Sequence, residues 1–255
     1  MMSGGRPPAR VAASCTAITA FEESYPHKLR VALPRVNTHL VTEHMLCYGG
    51  VMPRPRMHDP QAILDVAESL AVRCGPAAVT IRAVGDAVGV SNGALYHEFG
   101  SRSGLLTRAW LRAVHRLQTV LTELVETAEP GAAAIAAAAE ASIVLAERHP
   151  SSAALVLQTR RDELIGADPP AEVKDAQNRL VDLMIQLADD AWGRRDGAAV
   201  DTVTTCIVDL PTAILLHRNR IADPTARRQL RAAVAAVLEV GPAPRAQRHR
   251  AQEAS

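Results

Sequence analysis

From Asp59 onward the apolar residues of this chain recur at helical spacing, punctuated by proline and glycine. Ile63, Leu64, Val66, Ala67, Leu70 and Ala71 form one stripe behind Asp59-Pro60, an N-cap and first-turn pair, and Gly75-Pro76 stops it. Thr80 opens a short second helix carrying Ile81, Val84 and Val88. Gly89-Val90 makes a tight turn, Ser91 starts a third short helix through Phe99, and Gly100-Ser101 ends it. A long helix follows, with Leu106, Trp110, Ala113, Leu117, Val120, Leu121 and Leu124 on one face, until Pro130-Gly131. Further helices are expected over 131–148, 151–165, 171–192, 198–221 and 225–239, each bounded by its own proline or glycine. No stretch alternates with the period of two that a strand requires. The pattern predicts an all-α chain of about nine helices.

Residues 1–56 read differently. They hold Pro7, Pro8, Pro26, Pro34, Pro53 and Pro55, the pair Gly49-Gly50, and no sustained period. Such a stretch cannot recover its ordering entropy by burial, so it is expected to be disordered, or to precede a true start at Met52 or Met57. Arg6 and Arg10 before Val11–Ala20 superficially imitate a signal peptide, but the apolar part is interrupted by Ser14, Cys15, Thr16 and Thr19. The expected organisation is this extension, a helical domain over 57–105, a larger helical domain over 106–240, and a flexible polar tail over 241–255.

Composition narrows the class. Of 255 residues 48% are hydrophobic but only 3% aromatic, so Ala, Val and Leu must build the core, which disfavours a sandwich or barrel. No run of eighteen apolar residues marks a membrane span. Cys15, Cys47, Cys74 and Cys206 are far apart without a CxxC pair, the usage of reduced thiols in a cytoplasmic protein. The net charge of +1 hides an uneven distribution. Residues 1–56 carry seven basic and three acidic groups, whereas 57–105 carry three basic and five acidic.

The stretch Thr80–Phe99 carries the chemistry. Two short helices joined by a glycine turn over a three-helix apolar core describe a helix-turn-helix. Val84, Val88, Val90 and Leu95 have the spacing to lock the two helices together. The second then projects Ser91, Asn92, Gly93, Ala94, Tyr96 and His97, a small polar face suited to the major groove of double-stranded DNA.

Residues 59–106 resemble the DNA-binding domain of the tetracycline-repressor (TetR) family of transcriptional regulators. The matching residues are Thr80-Ile81-Arg82, Gly89-Val90-Ser91, Ala94-Leu95-Tyr96-His97, Phe99, Ser101-Arg102 and Leu105-Leu106. The resemblance implies a homodimeric repressor released from its operator by a small molecule. It also implies residue roles. Thr80 would cap its helix against a phosphate, and Arg82 would reach a phosphate or a guanine edge. Asn92 would read bases, with Gly93 and Ala94 allowing close approach. Tyr96 and His97 would hold phosphates, as would Arg102, which stands where the family usually has lysine. Tyr96 has the alternative of packing into the small core, and Arg82 and Arg102 that of solvated surface charge. Glu98 ends the recognition helix with a carboxylate facing solvent or a phosphate. Gly85 and Gly104 stand where alanine or an acidic residue would be ordinary, and each is expected to weaken its helix by up to about 1 kcal/mol.

Other chemistry is not supported. The histidines are dispersed without metal spacing, no cofactor motif is present, and HExxH, GxSxG and GxxxxGK[ST] are absent, so neither an enzyme nor a metal site is expected. The competing class is a helical protein-interaction module whose helix-turn-helix no longer reads DNA, favoured only by the acidic balance of 57–105. The resemblance places a dimer interface on 198–221 and 225–239, with Pro211 expected to kink the first. It places an effector pocket among the helices over 106–128, 151–165, 171–192 and 198–221, where Trp110, Gln158, Met184, Thr205 and Asp209 are the candidate lining residues. Trp110 and Trp192 are the only aromatic residues after Phe99, so an aromatic cage for a planar cation cannot be built, and a largely aliphatic or neutral effector is expected.

Overall fold

The computed structural model describes residues 59–166 and 169–242, and every regular element among them is helical. The expectations for the extension over 1–56 and for the tail beyond Pro242 fall outside the described residues.

Four caps set the N-terminal third. Asp59 accepts from the Gln61 N–H and Pro60 sits at the first position of α1 (Pro60–Cys74). A single 3₁₀ turn (Pro76–Ala78) leads to α2 (Ile81–Val88), where Thr80 Oγ1 accepts from the Ala83 N–H at 3.0 Å. Gly89, in the left-handed region at φ 70°, turns the chain before α3 (Asn92–Phe99), which Ser91 caps at 3.2 Å from the Ala94 N–H. Ser101 caps the 26-residue α4 (Arg102–Thr127).

The remainder is α5 (Ala132–Ala138), α6 (Ala141–Arg148), α7 (Pro150–Gln158), α8 (Arg161–Ile165), α9 (Ala171–Trp192), α10 (Gly197–Leu216) and α11 (Pro224–Val240). Two expected helices are each divided. The alanine run breaks at Ala139 and Glu140, where the Glu140 N–H turns back to Ala137 and its carboxylate is held by Arg231 of α11 at 2.8 and 3.0 Å. The stretch 151–165 breaks where Thr159 and Arg160 adopt extended backbone. Pro211 lies between two π-helical turns, Thr205–Asp209 and Thr212–Leu216. Widening the helix to i→i+5 bonds accommodates a residue that lacks an N–H and crowds the preceding turn.

Two apolar cores result. The first joins Ile63, Leu64, Val84, Leu95, Leu105 and Leu106 to Trp110, Leu155, Leu164 and Val173, so it runs across the boundary expected at 105. The second joins Ile135, Leu145, Leu187, Val203, Cys206, Leu215 and Leu230. By length and composition alone α10 could cross a membrane, with a mean hydropathy of 1.5 although no uninterrupted apolar run exists. Here Val200, Val203, Cys206 and Leu215 are instead buried in the second core, while Ile207, Val208, Leu210 and Ile214 stay half-exposed.

Burial pushes the Cys206 thiol up to about 11. At about pH 8 an alkylating reagent should modify exposed Cys74 and leave Cys206 intact in the folded protein. Peptide mass spectrometry reads this directly, and comparable labelling of both would mean that the second core opens readily.

Candidate nucleic-acid interface

The helix-turn-helix is fixed by what lies beneath it. Ile81, Val84, Val90, Leu95 and Phe99 are buried together, and the Val90 N–H closes on the Gly85 carbonyl at 3.0 Å. With α3 held on that side, Ser91, Asn92, Gly93, Ala94, Tyr96 and His97 all lie exposed on the other. Tyr96 is 54% exposed, so its ring stands out on the surface and not in the small core. The hydroxyls of Thr80 and Ser91 each accept from an N–H in the first turn of their helices, which fixes the two helix N-termini.

The charged residues divide into free-standing and committed. Arg82 lies on the surface with only a 3.7 Å pairing to equally exposed Asp86. Arg102 is committed: its Nε donates to the Val79 carbonyl at 2.6 Å and its Nη2 to the Pro76 carbonyl at 2.5 Å. It therefore fastens the start of α4 to the turn that precedes α2, with Nη1 left over for a further contact. Glu98 is directed back to α4, where Arg108 binds its carboxylate at 2.8 Å and lies 5.3 Å over the Phe99 ring. That pairing draws the acid away from the exposed face.

The five candidate effector residues are spread over both cores and the surface. Trp110 is buried in the first core and Met184 in the second, where the Thr204 hydroxyl meets its sulfur at 3.5 Å. Gln158 is exposed at the end of α7. Thr205 is half-buried and Asp209 exposed, both in the first π turn, and partial burial pushes the Asp209 carboxyl up. An open groove of about 500 Å³ at the start of α11 is lined by Ala222, Pro224, Arg227, Arg228 and Arg231, and includes none of the five.

One cluster escaped the sequence reading altogether. Glu68 of α1 is 0% exposed, and it meets Arg112 and Arg116 of α4 and Ser152 of α7. Its signal was a carboxylate at a position of the α1 apolar stripe, opposite two arginines four residues apart.

Residues 63–109 match the family model of bacterial regulatory proteins of the tetR family. This segment is a TetR-family regulatory domain. The match spans α1 from Ile63 through the start of α4, the same stretch whose caps and core are described above. No curated protein sequence matches the chain. Among solved structures, a protein of unknown function from Rhodococcus sp. RHA1 is 21% identical with a TM-score of 0.58, covering 74% of this chain and 98% of that one. The ketosteroid transcriptional regulator KstR2 of Mycobacterium tuberculosis is 17% identical with a TM-score of 0.54, covering 72% and 95%. The fatty acid degradation regulator FadR from Bacillus halodurans is 12% identical with a TM-score of 0.51, covering 71% and 93%. At these identities the likeness is one of fold, and it extends over the C-terminal helices that the family model does not reach.

Proposed function

We propose that this protein is a cytoplasmic, ligand-responsive repressor that binds a palindromic DNA operator as a homodimer and leaves it when a small molecule binds. The observation that carries the reading is the exposed polar face of α3, seated on a three-helix core within a TetR-family domain. Asn92 reads base edges, with Gly93 and Ala94 letting the backbone approach. Tyr96, His97, Arg82 and the N-termini capped by Thr80 and Ser91 hold phosphates. With an acidic balance over 57–105, affinity depends on these few groups, and a chain beginning at Met57 should bind DNA about as tightly as the full one; a large loss with a reduced salt slope would show instead that the arginines before it touch phosphates.

The apolar faces of α10 and α11 support the dimer in this reading. One apolar arc of each is buried in the second core, while Ile207, Val208, Leu210, Ile214, Val237 and Leu238 remain only half-buried, with Val240 85% exposed. That width is covered when the two helices pair with their copies. A monomer at micromolar concentration in sedimentation would remove the dimer and the palindrome with it. The effector, in this reading, is aliphatic or neutral, since Trp110 is core and only Trp192 remains to face a cation. A thermal-shift screen against cationic aromatics and aliphatic acids distinguishes the two classes.

The test is a gel-shift with DNA flanking the gene, at stated salt. Asn92→Ala should change sequence preference, with a loss of about 1–3 kcal/mol at its base pair. Arg102→Ala should weaken every sequence alike and lower the melting temperature too, because its two carbonyls lose their donor. Equal weakening at all sites by Asn92→Ala would misplace the recognition face. Absence of binding to any DNA would leave a helical interaction module instead.

A further inference from the structure

We infer that Glu68, Arg112 and Ser152 are positioning residues that set the angle of the helix-turn-helix on the helical body, with α7 carrying the connection alongside α4. The inference rests on the operator-binding reading above. Glu68 and Ser152 are both 0% exposed, and both carboxylate oxygens of Glu68 are engaged. Its Oε1 accepts from Arg112 Nε at 2.9 Å and lies 2.8 Å from Arg112 Nη2. Its Oε2 accepts from Ser152 Oγ at 2.7 Å and lies 3.5 Å from Arg116 Nη1. Arg116 Nη1 in turn donates to Ser152 Oγ at 2.8 Å, and Arg112 Nη1 donates to the Gln61 carbonyl at 2.9 Å. Three helices therefore meet at one carboxylate.

Apolar packing holds α1 against the body but is non-directional, so by itself it tolerates sliding and roll. A carboxylate that accepts from a guanidinium Nε at one oxygen and from a hydroxyl at the other resists both. Since α1 packs on α2, and α2 on α3, in one continuous core, the recognition helix turns with α1. In a dimer, a change of that angle alters the separation of the two recognition helices, which must match one helical turn of DNA. The hydroxyl of Ser152 matters because it ties α1 directly to α7, without α4 as intermediary.

The experiment uses the full chain and an operator selected with it from random DNA, then rebuilt with its half-sites one base pair closer and one farther apart. Binding is measured by gel-shift at equal folded fraction, checked by circular dichroism. Ser152→Ala should bind the selected spacing about tenfold more weakly and discriminate less among the three spacings, an effect of the size usual for coupling between sites. Ser152→Thr, which keeps the hydroxyl, should restore both affinity and discrimination. Glu68→Gln, which keeps the shape but not the charge, should behave as Ser152→Ala does. Equal weakening at all three spacings, or no change in either variant, would overturn the inference and leave the cluster a stability feature. Absence of wild-type binding to any selected DNA would fell the operator reading first, and this one with it.

Discussion

Glu68→Ala is expected to lower the free energy of unfolding by about 3–5 kcal/mol, the usual cost of removing one partner from a buried ion pair. The carboxylate is the only acid inside the cluster, since Asp65, which also meets Arg112 at 2.8 Å, lies largely in solvent. Without Glu68 the side chain of Arg112, itself about nine-tenths buried, loses its buried counter-charge and keeps the largely exposed Asp65, and Ser152 loses its acceptor. Denaturant unfolding with two probes measures the change. Glu68→Met combined with Arg112→Met removes both charges and fills the volume, so it should recover most of the loss. A change under about 1 kcal/mol for Glu68→Ala would mean that water reaches the cluster and the pair is effectively exposed.

How much of this was legible beforehand follows from the physics of each feature. Caps are local, so Asp59, Thr80 and Ser91, together with the turn at Gly89, could be placed from neighbouring residues alone, and the helices start where they indicate, whereas Ser101, read as the end of one helix, also caps the next. The exposed face of α3 was legible for the same reason, since the buried residues Leu95 and Phe99 fix which side points out. The breaks at Ala139-Glu140 and Thr159-Arg160 were not legible, because neither carries proline or glycine. The first break coincides with Glu140 held by Arg231, 91 residues away. Arg102 has partners that its neighbours in sequence do not indicate: its grip on the Pro76 and Val79 carbonyls depends on where a distant turn folds back. The Glu68 cluster joins residues up to 84 apart, and no spacing rule connects them. Effector residues were chosen by helix membership, and side-chain direction, which separates Trp110 from Met184, is what membership leaves out.

The two glycines inside helices were expected to be weak points, and the structure gives the opposite sense to both. At Gly104, in the first turn of α4, a Cβ would stand 2.1 Å from the Phe99 carbonyl oxygen. At Gly85 a Cβ would stand 2.7 Å from the Val90 carbonyl oxygen and 3.1 Å from Asn92 Oδ1. Both obstacles include backbone, which cannot swing aside as a long side chain does, so helix propensity is outweighed by close approach. Gly104→Ala should therefore destabilise the protein by about 3 kcal/mol, at the upper end of ordinary overpacking, although alanine is the better helix former by about 1 kcal/mol. Gly85→Ala should lower stability less, since part of its contact is the Asn92 side chain, but it should lower DNA affinity more. Pushing Val90 and Asn92 outward rotates the first turn of α3, the segment proposed to read bases. Thermal melts and gel-shifts on both variants separate the two effects. If Gly104→Ala melts at or above the wild-type temperature, propensity has won, and α3 and α4 do not approach as closely as the Phe99 carbonyl requires.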